Sequence, residues 1–138
     1  MIPVGITTVK KDWDWVIYES EHGKDATEQF KKMVLALEDW SIKQGWSLPY
    51  NLNKYYTGFK YGYRVIFNVA WGGTYAWKVK MKLPDGIANG FKSQHWEFQN
   101  YDTTFHEALF RPVDPSLQNV DELAEFLQQA YKLVSGVN

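Results

Sequence analysis

Two segments of the chain repeat apolar residues at intervals of three and four, which is the spacing of an amphipathic helix. They run from Ala26 to Gln44 and from Val120 to Ser135. Each segment is predicted to form a helix that packs one apolar stripe against a core. Residues typical of helix caps and left-handed stops support these boundaries. They are Asp25 with Glu28, Asn119 with Glu122, Gly45 and Gly136.

The middle of the chain favours strands, because short runs of alternating apolar and polar residues are bounded there by turn residues. The predicted strands are Tyr55–Lys60, Tyr63–Trp71, Tyr75–Leu83, Gln94–Gln99 and Thr104–Arg111, and the last two are joined by a turn at 100–103. A weaker alternation over residues 4–9 and 13–19 predicts an N-terminal hairpin. Trp13, Trp15 and Ile17 would share one of its faces.

The register of the central hairpin can be predicted because directly opposed residues of antiparallel strands share a face. A three-residue loop at 72–74 pairs Val69 with Trp77 and sorts the faces, whereas a two-residue loop mixes them. We therefore expect the three-residue loop. One face then carries Tyr63, Val65, Phe67, Val69, Trp71, Tyr75, Trp77, Val79, Met81 and Leu83. The other carries Arg64, Ile66, Asn68, Ala70, Ala76, Lys78, Lys80 and Lys82.

These elements predict one α+β domain over residues 1–138, with an antiparallel meander of about five strands and two helices packed on one face. Hydrophobic residues at 45% and charged residues at 22% suit such a globular domain. The absence of cysteine excludes a disulfide framework, a thiolate nucleophile and a cysteine zinc site. We see no membrane-length apolar run and no signal peptide, so we expect a soluble, cytoplasmic protein without a membrane partner.

Charge is segregated along the chain, although the total is only -1. Residues 54–92 carry seven basic residues, one acid and ten aromatic residues. The flanks, 1–53 and 93–138, have net charges of -2 and -5. The near-neutral total argues against bulk, charge-driven binding of nucleic acid. The segregation still permits a local site for an anion on the middle segment.

The polar face of the central hairpin is the first candidate site. Arg64, Lys78, Lys80 and Lys82 would stand together on it, with Tyr55, Tyr56 or Phe59 nearby. Cations beside aromatic rings suit a phosphate backbone and stacked bases. The alternative is a solvated face whose lysines oppose aggregation between sheet edges.

The aromatic face is the second candidate. Tyr63, Phe67, Trp71, Tyr75 and Trp77 either fill the core or line a pocket for a small aromatic or cationic ligand. A sheet that curls away from its helices would leave such a pocket.

Two further arrangements concern metal binding or catalysis. His95, Glu97 and His106 would share a face across a four-residue turn and could hold a metal or transfer protons, although a surface His–Glu pair explains the same residues. Asp85 followed by Glu97 and Gln99 is similar to the carboxylates of metal-dependent restriction-type nucleases. Those enzymes have a lysine where this chain has Gln99, so activation of the attacking water is in doubt.

The run KYYTGFKYGYRVIF at 54–67 resembles the strand-turn-strand core of a small uncharacterised bacterial domain family. That family occurs alone or fused to predicted transport and restriction-associated proteins. The alternating lysines of the third strand and the closing helix through Ala130 and Tyr131 fit its layout over residues 25–135. The resemblance implies an α+β domain without an established activity and supplies no catalytic residue.

We therefore hypothesise a non-catalytic binding domain whose partner is anionic, either nucleic acid or a nucleotide. One alternative is a small-molecule binding domain with an aromatic-lined pocket, and another is a homodimer or protein-interaction module built on the sheet. We predict no catalytic residue and no cofactor.

Overall fold

Three helices and six strands follow one another in the computed structural model, which describes residues 12–72 and 76–137. The helices are α1 (Trp15–His22), α2 (Lys24–Lys43) and α3 (Ala124–Ser135), the last preceded by a 3-10 turn at Asp121–Leu123. The strands are β1 (Tyr50–Leu52), β2 (Tyr56–Tyr61), β3 (Arg64–Trp71), β4 (Trp77–Lys82), β5 (Trp96–Asp102) and β6 (Glu107–Pro112).

The strands form one open antiparallel sheet in the order β1-β2-β3-β4-β6-β5. The predicted α+β class is therefore confirmed, with two differences in the sheet. The chain passes from β4 to the outer edge before it returns through β6, so the order is not a simple meander. β1 was not predicted, because its three residues are too few to show an alternation.

The helices cover one face of this sheet and form the core with it. Phe30, Met33 and Leu37 of α2 are fully buried, as are Leu127 and Ala130 of α3. Both predicted apolar stripes are thus confirmed as core stripes. Their partners on the sheet include Phe67, Val69, Val79, Met81 and Phe110, all with no exposed surface. No helix in the described ranges is long and apolar enough to span a membrane.

The predicted strand at 13–19 is wrong, because this segment forms α1; residues 4–9 lie outside the described residues. The Asp14 side chain caps the helix by accepting a hydrogen bond from the Ile17 amide at 2.8 Å. Trp15, Tyr18 and His22 then fall at helical spacing, and the Tyr18 ring contacts both of the others. The short alternation of aromatic residues therefore predicted a strand where a capped helix forms.

The start of α2 also differs from the prediction. It begins at Lys24 with Gly23 as its N-cap, so the Asp25 side chain does not cap it. Gly23 joins α1 directly to α2 at φ +92°, a conformation that favours glycine. At the last helix, the Asn119 side chain accepts from the Glu122 amide at 3.3 Å, as the predicted pair would, but this bond belongs to the 3-10 turn. The helix itself begins at Ala124, not at Val120, and has no side-chain cap.

Of the remaining predictions, the two glycines that end the helices are confirmed and the turn at 100–103 is wrong. Gly45 and Gly136 follow their helices with positive φ, as expected. The predicted turn at 100–103 is wrong, because β5 continues to Asp102. The Asp102 side chain instead accepts hydrogen bonds from the Thr104 and Phe105 amides and forms the turn beyond it.

The central hairpin has a longer loop than predicted. Trp71 pairs with Trp77 and Val69 with Val79, so residues 72–76 separate the strands. The predicted three-residue loop at 72–74 is therefore wrong. The sorting of side chains between the two faces could not reveal this error, because it depends only on whether the number of loop residues is odd or even. Loops of three and five residues leave the same side chains on each face.

A β-bulge in β3 exchanges the sheet faces on which two neighbouring side chains lie. Phe59 pairs with Phe67, but the next residue, Lys60, pairs with Val65. The extra residue, Ile66, is fully buried in the core, whereas Val65 lies on the opposite face. The predicted faces of Val65 and Ile66 are therefore exchanged.

Besides ring contacts with Trp71, one buried hydroxyl connects α1 to the sheet side of the core. Tyr18 has no exposed surface, and its hydroxyl donates to the Asn53 carbonyl oxygen at 2.5 Å. We expect Tyr18→Phe to lower the free energy of unfolding by about 1–2 kcal/mol, because the buried hydrogen bond is lost while packing is kept. Urea denaturation measures this change. Tyr63→Phe, at a fully exposed tyrosine, is the matched control and should change nothing. Equal stabilities of the Tyr18 variant and the parent would contradict the prediction.

Candidate functional site

The sheet face that the helices leave uncovered bears an open cleft of about 480 Å³. Its floor is formed by β3, β4 and β6, and its ends by the residues before β2 and by the β5–β6 turn. This volume is in the range of small-molecule sites, which span roughly 300–1,000 Å³. The cleft is therefore large enough for one small ligand or for one unit of a polymer.

Three of the four predicted anion-binding residues line this cleft. Arg64 is exposed at the start of β3, and Lys80 and Lys82 are half-buried at alternate positions of β4. Lys82 is already engaged, because its Nζ lies 3.6 Å from Glu107 Oε2 and donates to the Phe105 carbonyl oxygen at 2.7 Å. Within the described chain, Arg64 and Lys80 form no ion pair.

The fourth predicted cation, Lys78, lies outside the lining of the cleft. It belongs to the same face of β4 but stands at the other end of the strand, beside Gly72. Burial lowers the pKa of Lys78, and the positive charge of Lys80 lowers it further. Lys78 therefore adds to the local positive potential without reaching the cleft.

Aromatic rings stand at both ends of the cleft. Tyr55 is 67% exposed just before β2, and Phe105 is 60% exposed in the β5–β6 turn. The Lys82 Nζ lies 5.8 Å from the centre of the Phe105 ring. Of the rings that the sequence placed near the cations, Tyr55 and Tyr56 line the cleft, whereas Phe59 is buried in the core. The Lys54 Nζ lies 5.3 Å from the centre of the Tyr55 ring, so each end ring has a cation over one face and can stack a planar ligand on the other.

Tyr56 and Val65 form one wall of the cleft, and a glycine at position 58 leaves room for both side chains. A Cβ added at Gly58 would lie 3.0 Å from Tyr56 Cε2 and 3.3 Å from Val65 Cγ2. Any larger residue would therefore displace the Tyr56 ring or Val65, both of which line the cleft. Gly58 lies inside β2 and makes room for these side chains.

Two polar residues form the floor of the cleft. The sequence placed Asn68 on this face without assigning it a role, and it did not indicate Glu107. Asn68 is 4% exposed and Glu107 is 6% exposed. Asn68 Nδ2 donates to Glu107 Oε2 at 3.4 Å, and Asn68 Oδ1 has no hydrogen-bond partner within the described chain. Burial raises the pKa of the Glu107 carboxyl, and the charges of Lys82 and Lys80 oppose this effect. Glu107 lies directly opposite Lys82 in the β4–β6 register. A correct prediction of this register would therefore have placed Glu107 beside Lys82 on the cleft face.

The aromatic residues predicted to line a pocket are not brought together around one. Phe67, Trp71 and Trp77 belong to the packed core, and the Trp71 ring stacks on Phe30 with centroids 4.1 Å apart. The fourth, Tyr63, is fully exposed in the β2–β3 turn, and the fifth, Tyr75, lies outside the described residues. The interpretation of this face as core therefore fits the three that are buried.

The arrangement predicted for His95, Glu97 and His106 is wrong. Glu97 pairs with Arg111 across β5 and β6, and the Arg111 guanidinium donates to its carboxylate at 2.8 Å. His106 lies in the turn beyond the far end of β5, while the His95 ring contacts the Glu122 carboxylate. Among the described residues, no group of three or more His, Asp or Glu side chains could hold a metal ion.

No family model, curated protein or solved structure matches this chain. The resemblance of residues 54–67 to a bacterial domain family therefore stays a prediction. Any function must be argued from the cleft itself, because the fold class hosts many unrelated functions.

The raised pKa of Glu107 predicts how stability depends on pH. Ionisation of this buried carboxyl opposes folding, so its contribution to stability is present at low pH and is lost as pH rises through its pKa. Gln cannot ionise. We therefore expect the stability of Glu107→Gln relative to the parent to increase from about pH 4 to about pH 8 in urea denaturation series.

Glu97→Gln is the matched control, with an effect of opposite sign. The hydrogen bond from Arg111 lowers the pKa of Glu97, so this carboxylate stabilises the fold above its ordinary pKa and less as pH falls. The relative stability of this variant should therefore decrease as pH rises from about pH 3 to about pH 5. A flat or falling curve for Glu107→Gln would contradict the buried, opposed ionisation of Glu107.

Proposed function

We propose that the cleft binds a nucleotide unit, either free or within a single-stranded nucleic acid, through its phosphate and its base. The observation that carries the proposal is that Arg64 and Lys80, two cations without an ion-pair partner in the described chain, line the same cleft as the exposed rings of Tyr55 and Phe105. Phosphate and a planar base are the groups that such a combination recognises. The domain acts by binding and supplies no catalytic group.

The three cations of the cleft contribute to phosphate binding in different ways. The Arg64 guanidinium presents a planar fork of donors that suits two phosphate oxygens. Lys80 is half-buried, so its charge is less screened by water than that of an exposed lysine. Lys82 offsets the charge of Glu107 and leaves the cleft with a net positive charge.

The position of β4 in the sheet argues against a purely protective role for its lysines. Lysines that prevent edge-to-edge aggregation belong on edge strands. β4 lies between β3 and β6, so Lys80 and Lys82 stand in the interior of the sheet. Their half-buried placement beside a cleft favours a ligand instead.

The dimensions favour a nucleotide or a single strand over a duplex. A cleft of about 480 Å³ holds one small ligand, and its end rings can stack only on bases that are not already paired and stacked. The two sources of the same chemistry are separated by experiment. A free nucleotide binds as the monophosphate alone, whereas a strand site binds an oligonucleotide more tightly than its monomer.

Phosphate binding predicts a salt dependence that rests on Arg64 and Lys80. We expect calorimetric affinity for a mixed-sequence single-stranded oligonucleotide, and for the monophosphates, to fall as salt rises, because phosphate contacts release counterions. Arg64→Gln and Lys80→Gln should each weaken binding about tenfold, since each removes a charged hydrogen bond. Lys132→Gln, at an exposed lysine on α3, is the matched control. Binding that is absent at low salt, or unaffected by both cleft variants, would refute the proposal.

Stacking predicts an effect of the end rings that is independent of charge. Tyr55→Ala and Phe105→Ala should each reduce affinity about tenfold, because base–aromatic stacking contributes roughly 1–3 kcal/mol per base. The salt dependence should stay unchanged in both variants. Tyr63→Ala removes a ring that is even more exposed but lies outside the cleft, and this variant should bind like the parent. If all three variants bind alike, the rings do not contact the ligand.

A further inference from the structure

The floor of the cleft contains a hydrogen-bond acceptor that no group in the described chain satisfies. Asn68 is 4% exposed, and its Oδ1 has no partner, while its Nδ2 is directed to Glu107. Buried polar atoms in folded proteins are nearly always paired, so an unpaired one in a cleft calls for a partner from outside the chain. An amide oxygen accepts hydrogen bonds only, so that partner must be a donor.

Glu107 places a second set of acceptor oxygens beside the first. Its two contacts are long, at 3.4 Å to Asn68 Nδ2 and 3.6 Å to Lys82 Nζ, so its carboxylate retains capacity to accept. Asn68 and Glu107 both line the cleft. The floor is therefore rich in acceptors, and the positive charge comes from the cations beside it, with Lys80 directly opposite Asn68.

We infer that the ligand's base carries an exocyclic amino group, as adenine and cytosine do, and that this group donates to Asn68 Oδ1 at the floor. The inference rests on the proposed nucleotide binding and specifies its base. Hypoxanthine and uracil differ from adenine and cytosine by a carbonyl oxygen at that position. That oxygen would face Asn68 Oδ1 and the Glu107 carboxylate without a hydrogen between them, which is unfavourable.

The side chains around Asn68 allow a ligand to reach it. Lys80 is directly opposite Asn68 in the β3–β4 register and extends over the same face. Rotation of a long lysine side chain is fast, and a bound phosphate attracts its ammonium group. We expect this movement of Lys80 to open the floor around Asn68, whose amide oxygen is otherwise buried.

The test compares nucleotides that differ at this group and in the hydrogen on the adjacent ring nitrogen. Calorimetry at low salt would measure adenosine against inosine monophosphate, and cytidine against uridine monophosphate. We expect the amino-bearing member of each pair to bind about tenfold more tightly, which is the discrimination that one good base contact gives. Asn68→Leu should remove this preference while binding to inosine monophosphate persists. Asn51→Leu, on the exposed part of β1, should keep the preference.

The outcomes separate this inference from the proposed function. Equal, salt-dependent affinity for adenosine and inosine monophosphates would overturn the inference and leave nucleotide binding intact; a water molecule would then satisfy Asn68. A preference for the carbonyl-bearing bases would also overturn it. Failure of all four nucleotides and of the oligonucleotide to bind would overturn both. The comparison of nucleotides uses the unaltered protein, so it decides the matter even if Asn68→Leu does not fold.

Discussion

The alternation of side chains along β3 and β4 is the constraint on which both the core and the cleft depend. Phe67, Val69, Val79 and Met81 point into the helix layer and are fully buried. The residues between them must then emerge on the other face, because successive side chains of a strand point to opposite sides. The same register that fills the core therefore sets Asn68 beside Lys80 on the uncovered face. A substitution that shifted this register would destroy the core and the cleft together.

The polar floor is stable because the side chains of neighbouring strands shield it and partly neutralise it. Glu107 would be costly to bury alone, but Lys82 on the adjacent strand supplies an opposite charge, and Asn68 supplies a donor. Both contacts are longer than ideal, so the compensation is incomplete and burial still raises the pKa of Glu107. An incompletely satisfied polar group within a packed scaffold is typical of a binding site, where a ligand completes the network.

The sequence predicted those parts of the fold that depend on a repeated local pattern. The stripes of α2 and α3 span several turns, so periodicity identified them although the first cap was misplaced. α1 was missed because Trp13, Trp15 and Ile17 imitate a strand over a length too short to distinguish the two periods. Lys80 and Lys82 were found because parity alone sets their face. Arg64 also lines the cleft, but the bulge at Val65 and Ile66 interrupts the alternation before it. Glu107 and Phe105 were not found, since they depend on the β4–β6 pairing, which no local pattern specifies.

Pairing between distant segments also reduces the positive charge that residues 54–92 present in the folded chain. The excess of positive charge in residues 54–92 is partly neutralised in the folded chain, because the acidic C-terminal flank forms β5 and β6 beside β4. Lys82 faces Glu107 and Lys92 faces Glu97, so neither of these lysines is free to act as an isolated cation. Arg64 and Lys80 form no ion pair in the described chain, because β2 and β3 carry no acid and the Glu107 carboxylate of β6 pairs with Lys82. The charge of Lys80 still acts on Glu107, but without an ion-pair contact. The effective charge that a ligand meets is therefore concentrated at two residues, which favours one phosphate group over an extended polyanion.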